Sequence, residues 1–164
     1  MQRLFNAARW DEDLVRDDVR GYVTALGDPG AVLIGDDTGF EKGRSCSAGV
    51  QRQYTGTAGK FTNCQLGGFL AYASGKGRAL IDRELYLPRS WTGDQGRQAA
   101  AKVPEGTAFA TKPQLLQSMI ERAIAARIPF GWVTADEAYG DYADPPVMPT
   151  AAERPWSRVC QGRG

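Results

Sequence analysis

Apolar positions change period several times along the chain. In WDEDLVRDDVRGYVTAL (10–26), Leu14, Val15, Val19, Tyr22, Val23 and Leu26 recur at helical spacing and predict a helix. Asp11 or Asp13 can cap it, and acids crowd its first turn, where the helix dipole favours them. GDPG (27–30) stops the helix. AVLIG (31–35) predicts a buried strand that runs straight into Asp36 and Asp37. Thr38 and Gly39 then read as a turn, with Asp37 capping it. SAGVQRQY (47–54) alternates and predicts a strand, and FTNCQLGGFLAYAS (61–74) predicts a longer one. Gly67 and Gly68 fit a bulge or a close approach within it. SGKG (74–77) is a turn, and RALIDRELYL (78–87) predicts the next strand, so the pattern is an antiparallel meander. The stretch 89–109 has several breakers and no period, which predicts mostly irregular chain. TKPQLLQSMIERAIAARI (111–128) is an amphipathic helix with Thr111 as N-cap and Pro113 in the first turn. FGWVT (130–134) predicts a final strand, again ahead of acids, Asp136 and Glu137. Residues 142–164 hold four of the nine prolines and no period, which predicts no packed element there.

Composition narrows the chemistry. The chain has 164 residues, 42% of them hydrophobic, enough for one domain with a core. No apolar run is long enough to cross a bilayer. The opening MQRLFNAARWDEDLV has no stretch of signal-peptide type, which predicts a cytosolic chain without a membrane partner. Cys46, Cys64 and Cys160 are widely spaced, which predicts reduced thiols rather than a disulfide framework or a zinc cage. There is no histidine. That excludes Ser-His-Asp and Cys-His catalysis and His-ligated zinc. Chemistry must then rest on carboxylates, Lys, Tyr, Ser or a metal held by oxygen. Net charge is +1, so no global basic character announces a nucleic acid. Local basicity from Arg44 to Arg89 fits a solvated sheet face equally well.

Two apolar strands therefore lead into carboxylates, at Asp36 and at Asp136. As parallel neighbours they would lie ~4.8 Å apart. Carboxylates that close repel unless a cation or proton neutralises them. Without histidine, Mg²⁺ or Mn²⁺ held through oxygen is the natural cation. Acids that merely solubilise strand ends produce the same pattern. Asp37 and Glu137 each follow a candidate ligand, with turn-capping or solvation as the plainer roles. Lys42, Arg52 and Lys60 are candidate phosphate contacts. Tyr54, Tyr72, Tyr86 and Trp91 are expected in the core rather than as base-stacking platforms.

Several longer blocks carry more information: "DDTGF" with "KG", "GVQRQYTGTAGKFTNCQ", "FLAYAS" with "GRALIDRELYLPRSWT", "FATKPQL" with "MIERA", and "WVTADEAYG". In this order they resemble the transposases of the IS701 group of bacterial insertion sequences, members of the DDE superfamily of endonucleases. The resemblance implies an α/β, RNase H-like core, a mixed sheet with antiparallel hairpins flanked by helices, over residues 1–141 and incomplete at its C-terminus. Residues 142–164 would be an irregular tail, disordered or out of frame. The implied activity is metal-dependent DNA cleavage and strand transfer in DNA transposition, with Mg²⁺ or Mn²⁺ as cofactor, transposon-end DNA as partner and a homo-oligomer in the intact family. Asp36 and Asp136 match the family's first two catalytic, metal-binding carboxylates. The third, usually a Glu on a later helix, has no counterpart; Glu153 lies among prolines. The resemblance thus implies a truncated transposase, inactive alone. Two other readings stand beside it: a non-catalytic DNA- or partner-binding remnant, and a metal-dependent phosphatase of the haloacid dehalogenase type. The phosphatase reading needs an Asp where Thr38 stands.

Overall fold

The computed structural model describes residues 11–44, 46–136 and 139. Helix α1 spans Glu12–Leu26. The Asp11 side chain caps it by accepting from the backbone N–H groups of Asp13 and Leu14, and Gly27 ends it in the left-handed conformation that glycine adopts without strain. Five strands follow: β1 Val32–Glu41, β2 Gln51–Thr55, β3 Lys60–Ser74, β4 Gly77–Leu85 and β5 Trp132–Ala135. Between β4 and β5 lie two short helices, α2 Arg89–Thr92 and α3 Gln95–Ala100, and the longer α4, Lys112–Ala125.

The 15-residue β3 organises the sheet. It pairs antiparallel with β1 on one side and with β2 and β4 on the other. β5 then pairs parallel with β1. This is a mixed α/β sheet flanked by helices. It is not a simple meander, because β1 and β2 do not pair.

Side-chain alternation divides the sheet into two unlike faces. One face carries Leu33, Leu70 and Tyr72, and buries them with Val23 of α1 and Leu116, Met119, Ile120 and Ala123 of α4. Gly35 and Gly68 let α4 sit close: a Cβ on Gly35 would lie 2.5 Å from a Leu116 methyl, and one on Gly68 3.6 Å from the Met119 methyl. A charged cluster ties both helices to β4. Asp82 accepts from Arg20 at 2.6 Å and from Arg122 at 2.8 Å, and Arg122 also meets Glu84 at 2.6 Å. On the other face, Ile34, Phe40, Tyr54, Phe61, Leu80, Leu85 and Trp132 are exposed.

Four expectations are corrected. β1 continues through Asp36, Asp37, Thr38 and Gly39 to Glu41, because β3 offers partners from Phe69 to Cys64, so no turn forms at Thr38. β2 begins at Gln51, since Gly49 adopts φ 76° and Val50 N–H closes a turn onto the Ser47 carbonyl. The stretch 89–109 contains two helices anchored by Trp91, whose indole donates to the Val50 carbonyl and whose ring lies under Arg97. Tyr72 and Trp91 are fully buried, but Tyr54 is exposed. Cys46 and Cys64 are free thiols. Cys160, Glu137, Glu153 and the expected irregular tail lie outside the described residues.

Candidate active site: two aspartates on adjacent parallel strands

Gly35 of β1 pairs with Ala135 of β5. Asp36 and Asp136 are the next residues of the two parallel chains. Neighbouring strands are separated by ~4.8 Å, and residues at equivalent register point to the same face. Both aspartates are exposed. Asp36 falls on the face opposite α4, across the ladder from Phe69 of β3, and Asp136 follows the last residue of β5. Asp36 Oδ1 accepts the backbone N–H of Asp37 at 2.7 Å.

Alternation sends Asp37 the other way. Its carboxylate makes an ion pair with Lys112 at the start of α4. The two adjacent acids are thus divided between the faces of one strand. Asp37 lines a small cavity of about 10 Å³ with Lys112, Leu115 and Met119 of α4, Leu66 and Gly68 of β3, Tyr86 and Tyr139. That volume matches a single water.

Tyr139 lies three residues past Asp136 and is buried in the wall of this cavity. Its backbone N–H donates to the Asp136 carbonyl at 3.1 Å. Burial pushes its phenol well above the ordinary tyrosine value, and the charges of Asp37, Asp136 and Asp36 push it further. The phenol therefore stays protonated, a neutral group beside three acids.

Lys42, Arg52 and Lys60 form a group of their own. The Lys42 N–H donates to the Asn63 carbonyl at 2.9 Å, Arg52 pairs with Asn63 in the ladder, and Lys60 approaches Glu41 at 3.4 Å. They gather at the β2–β3 hairpin, away from Asp36 and Asp136.

A family model described as DDE superfamily endonuclease matches residues 1–145. The chain belongs to this family. No curated protein and no solved structure matches it. DDE superfamily endonucleases cleave DNA in the manner of transposases and usually employ divalent metals. Asp36 and Asp136 offer the hard oxygen donors that suit Mg²⁺ or Mn²⁺. Among the described residues, no group of three or more His, Cys, Asp or Glu is placed to hold an ion. The donor type therefore fits the family's metal, with two carboxylates of a set that needs more. No helix of the described residues is long and apolar enough to cross a membrane.

Lys112 and Tyr139 were not singled out from the sequence. Lys112 did leave a signal. It is a cation in the first turn of α4, where the helix dipole disfavours positive charge, and no acid accompanies it. A cation in that position implies a partner elsewhere, here Asp37. Tyr139 left no comparable signal.

Proposed function

We propose that residues 1–141 form a core of the type found in IS701-group transposases, and that it acts on DNA at Asp36 and Asp136. The observation that supports this reading is the parallel register of β1 and β5, whose last pair, Gly35 and Ala135, immediately precedes the two aspartates. The family match over residues 1–145 supplies the substrate class. Asp36 and Asp136 would hold Mg²⁺ or Mn²⁺. When bound, such ions activate a water or a 3′-hydroxyl and stabilise the leaving oxygen of a phosphodiester. The chain's own contribution is to fix the carboxylates: the Asp37 N–H orients Asp36, and the Lys112–Asp37 ion pair keeps the neighbouring acid on the α4 side. Tyr139, neutral and buried, lines the cavity beside Asp37 and Lys112 on the α4 side.

Among the described residues two carboxylates are assigned to the ions, too few to fix two of them for in-line attack, so on this reading the chain alone binds metal weakly and does not cut. The test is a cleavage assay on transposon-end DNA with Mn²⁺, comparing the chain with Asp36→Ala. No product from either is expected. Cleavage by the unmodified chain that vanishes in Asp36→Ala would refute the inactivity and point to a further ligand. Equal Mn²⁺ binding by the two chains would remove Asp36 from the metal site.

A further inference from the structure

We propose that the aromatic end of the open sheet face is a stacking platform for a single DNA strand, placed to guide that strand past Asp36. The inference rests on the DNA-acting reading above and extends it to a surface that runs from the β2–β3 hairpin up to Asp36.

Tyr54 and Phe61 are a directly opposed pair on β2 and β3, with ring centroids 5.6 Å apart and planes at 64°. They are 54% and 65% exposed, far more than ring pairs that build a core. Further along the same face, Phe40 meets Phe69 edge-to-face at 6.3 Å. Gly67 makes room for that pair, since a Cβ there would touch both rings within 3.4 Å. Phe69 is the ladder partner of Asp36. Phe61 and Phe69 are eight residues apart on β3, or ~26 Å at ~3.3 Å per residue. One face thus carries a row of rings that starts at an exposed hairpin and ends beside the candidate metal ligand.

Charge selects the occupant. The hairpin end of this face carries Arg52, two residues from Tyr54 on β2, and Lys42 follows β1 there, while Lys60 and Glu41 pair with each other on the α4 side and the acid Asp36 stands at the other end of the row. Rings flanked by cations match a polynucleotide, whose bases stack and whose phosphates need positive partners. Bases stacked flat on rings must be unpaired, so the strand is single.

The test is fluorescence anisotropy of the full chain with a labelled mixed-sequence single strand of ~20 nucleotides, longer than one platform covers. Tyr54→Ala and Phe61→Ala are each expected to weaken binding about tenfold. Arg52→Ala should also lower the slope of log affinity against log salt by ~0.7. Leu80→Ala, an exposed apolar side chain at the far end of the same face, should leave affinity unchanged. Circular dichroism confirms that the variants fold. Ring variants that bind like the unmodified chain, or a preference for duplex, overturn the proposal. So does sedimentation showing a DNA-free dimer that the ring variants dissociate, which would make the face an interface between copies. Mn²⁺ binding to the chain and to Asp36→Asn reports separately on the metal reading: its failure with the ring effects intact removes the metal site and leaves the platform standing.

Discussion

Asp82 has a side chain only 1% exposed, yet it carries a charge. Burying a carboxylate costs several kcal/mol unless partners compensate, and here Arg20 from α1 and Arg122 from α4 both do. Its Oδ1 also accepts the Arg83 N–H at 2.9 Å. Removing the acid strands two cations near the core. Asp82→Ala is expected to lower unfolding stability by about 3–5 kcal/mol, read from urea midpoints. A smaller loss than ~1 kcal/mol would show that the arginines find water once released. Thr55 is the opposite case. Its hydroxyl is the one buried side-chain oxygen or nitrogen without a hydrogen-bond partner among the described residues. It packs over Gly39, where a Cβ would come within 1.9 Å of Thr55 Oγ1. Thr55→Val keeps the shape and deletes the unpaired group, so it should be neutral or raise stability by about 1 kcal/mol. Gly39→Ala forces a clash on a β1 residue three positions past Asp36, and should cost about 1–3 kcal/mol. Both are read from the same denaturation curves, and a stabilised Gly39→Ala would mean that Thr55 can swing aside.

At the scale of elements, the contact that sets the site's depth is α4 against β1. Leu116 lies on Gly35, the residue just before Asp36. Gly35→Ala pushes the helix outward, at an expected cost of about 1–3 kcal/mol. Leu116→Ala leaves a void and should cost about 2–5 kcal/mol alone. Together the new methyl fills part of the void, so the double variant should lose less than the sum. Additive losses in that cycle would show that the helix and strand do not meet as described. The same elements show what the sequence could and could not carry. Helix α4 was legible because its signals are local: Thr111 and Gln114 form a reciprocal capping box, and the apolar stripe follows the helical period. The continuation of β1 past Asp36 was not. Two aspartates and a glycine in DDTGF disfavour a strand; the long partner β3 holds it extended from about 30 residues away in sequence. Tyr54 was misjudged for a related reason. Alternation fixes which residues share a face, but only the position of α1 and α4 decides which face is covered. The two aspartates were legible as strand-to-acid junctions. What was not legible is that β5 chooses β1 as its parallel neighbour, a pairing across about one hundred residues that no local signal encodes.

Among the described residues, one sheet packs α1 and α4 on one face, and an aspartate follows each residue of the last pair between β1 and the edge strand β5. On the proposed reading, Asp36 and Asp136 without metal would repel across a strand spacing, worth about 1 kcal/mol where water screens them. A divalent ion reverses the sign of that interaction, and an ion that binds only the folded chain stabilises it by mass action. At one hundred times its dissociation constant the gain is about 2.7 kcal/mol. For a chain of 164 residues this should raise the melting temperature by roughly 5–10 °C. Asp36→Asn should act in both directions. It removes one charge of the repelling pair, so the metal-free melting temperature should rise by a few degrees at most. It also removes a ligand, so the Mn²⁺-induced shift should shrink or vanish. Asp37→Asn serves as the contrast. Asp37 faces α4 and pairs with Lys112, so its variant should melt lower without metal yet keep most of the Mn²⁺ shift. Differential scanning calorimetry over an Mn²⁺ series, with excess Na⁺ to screen non-specific binding, separates the three chains. An equal Mn²⁺ shift in Asp36→Asn, or a shift lost only in Asp37→Asn, would move the ion to the α4 face and away from the junction of β1 and β5.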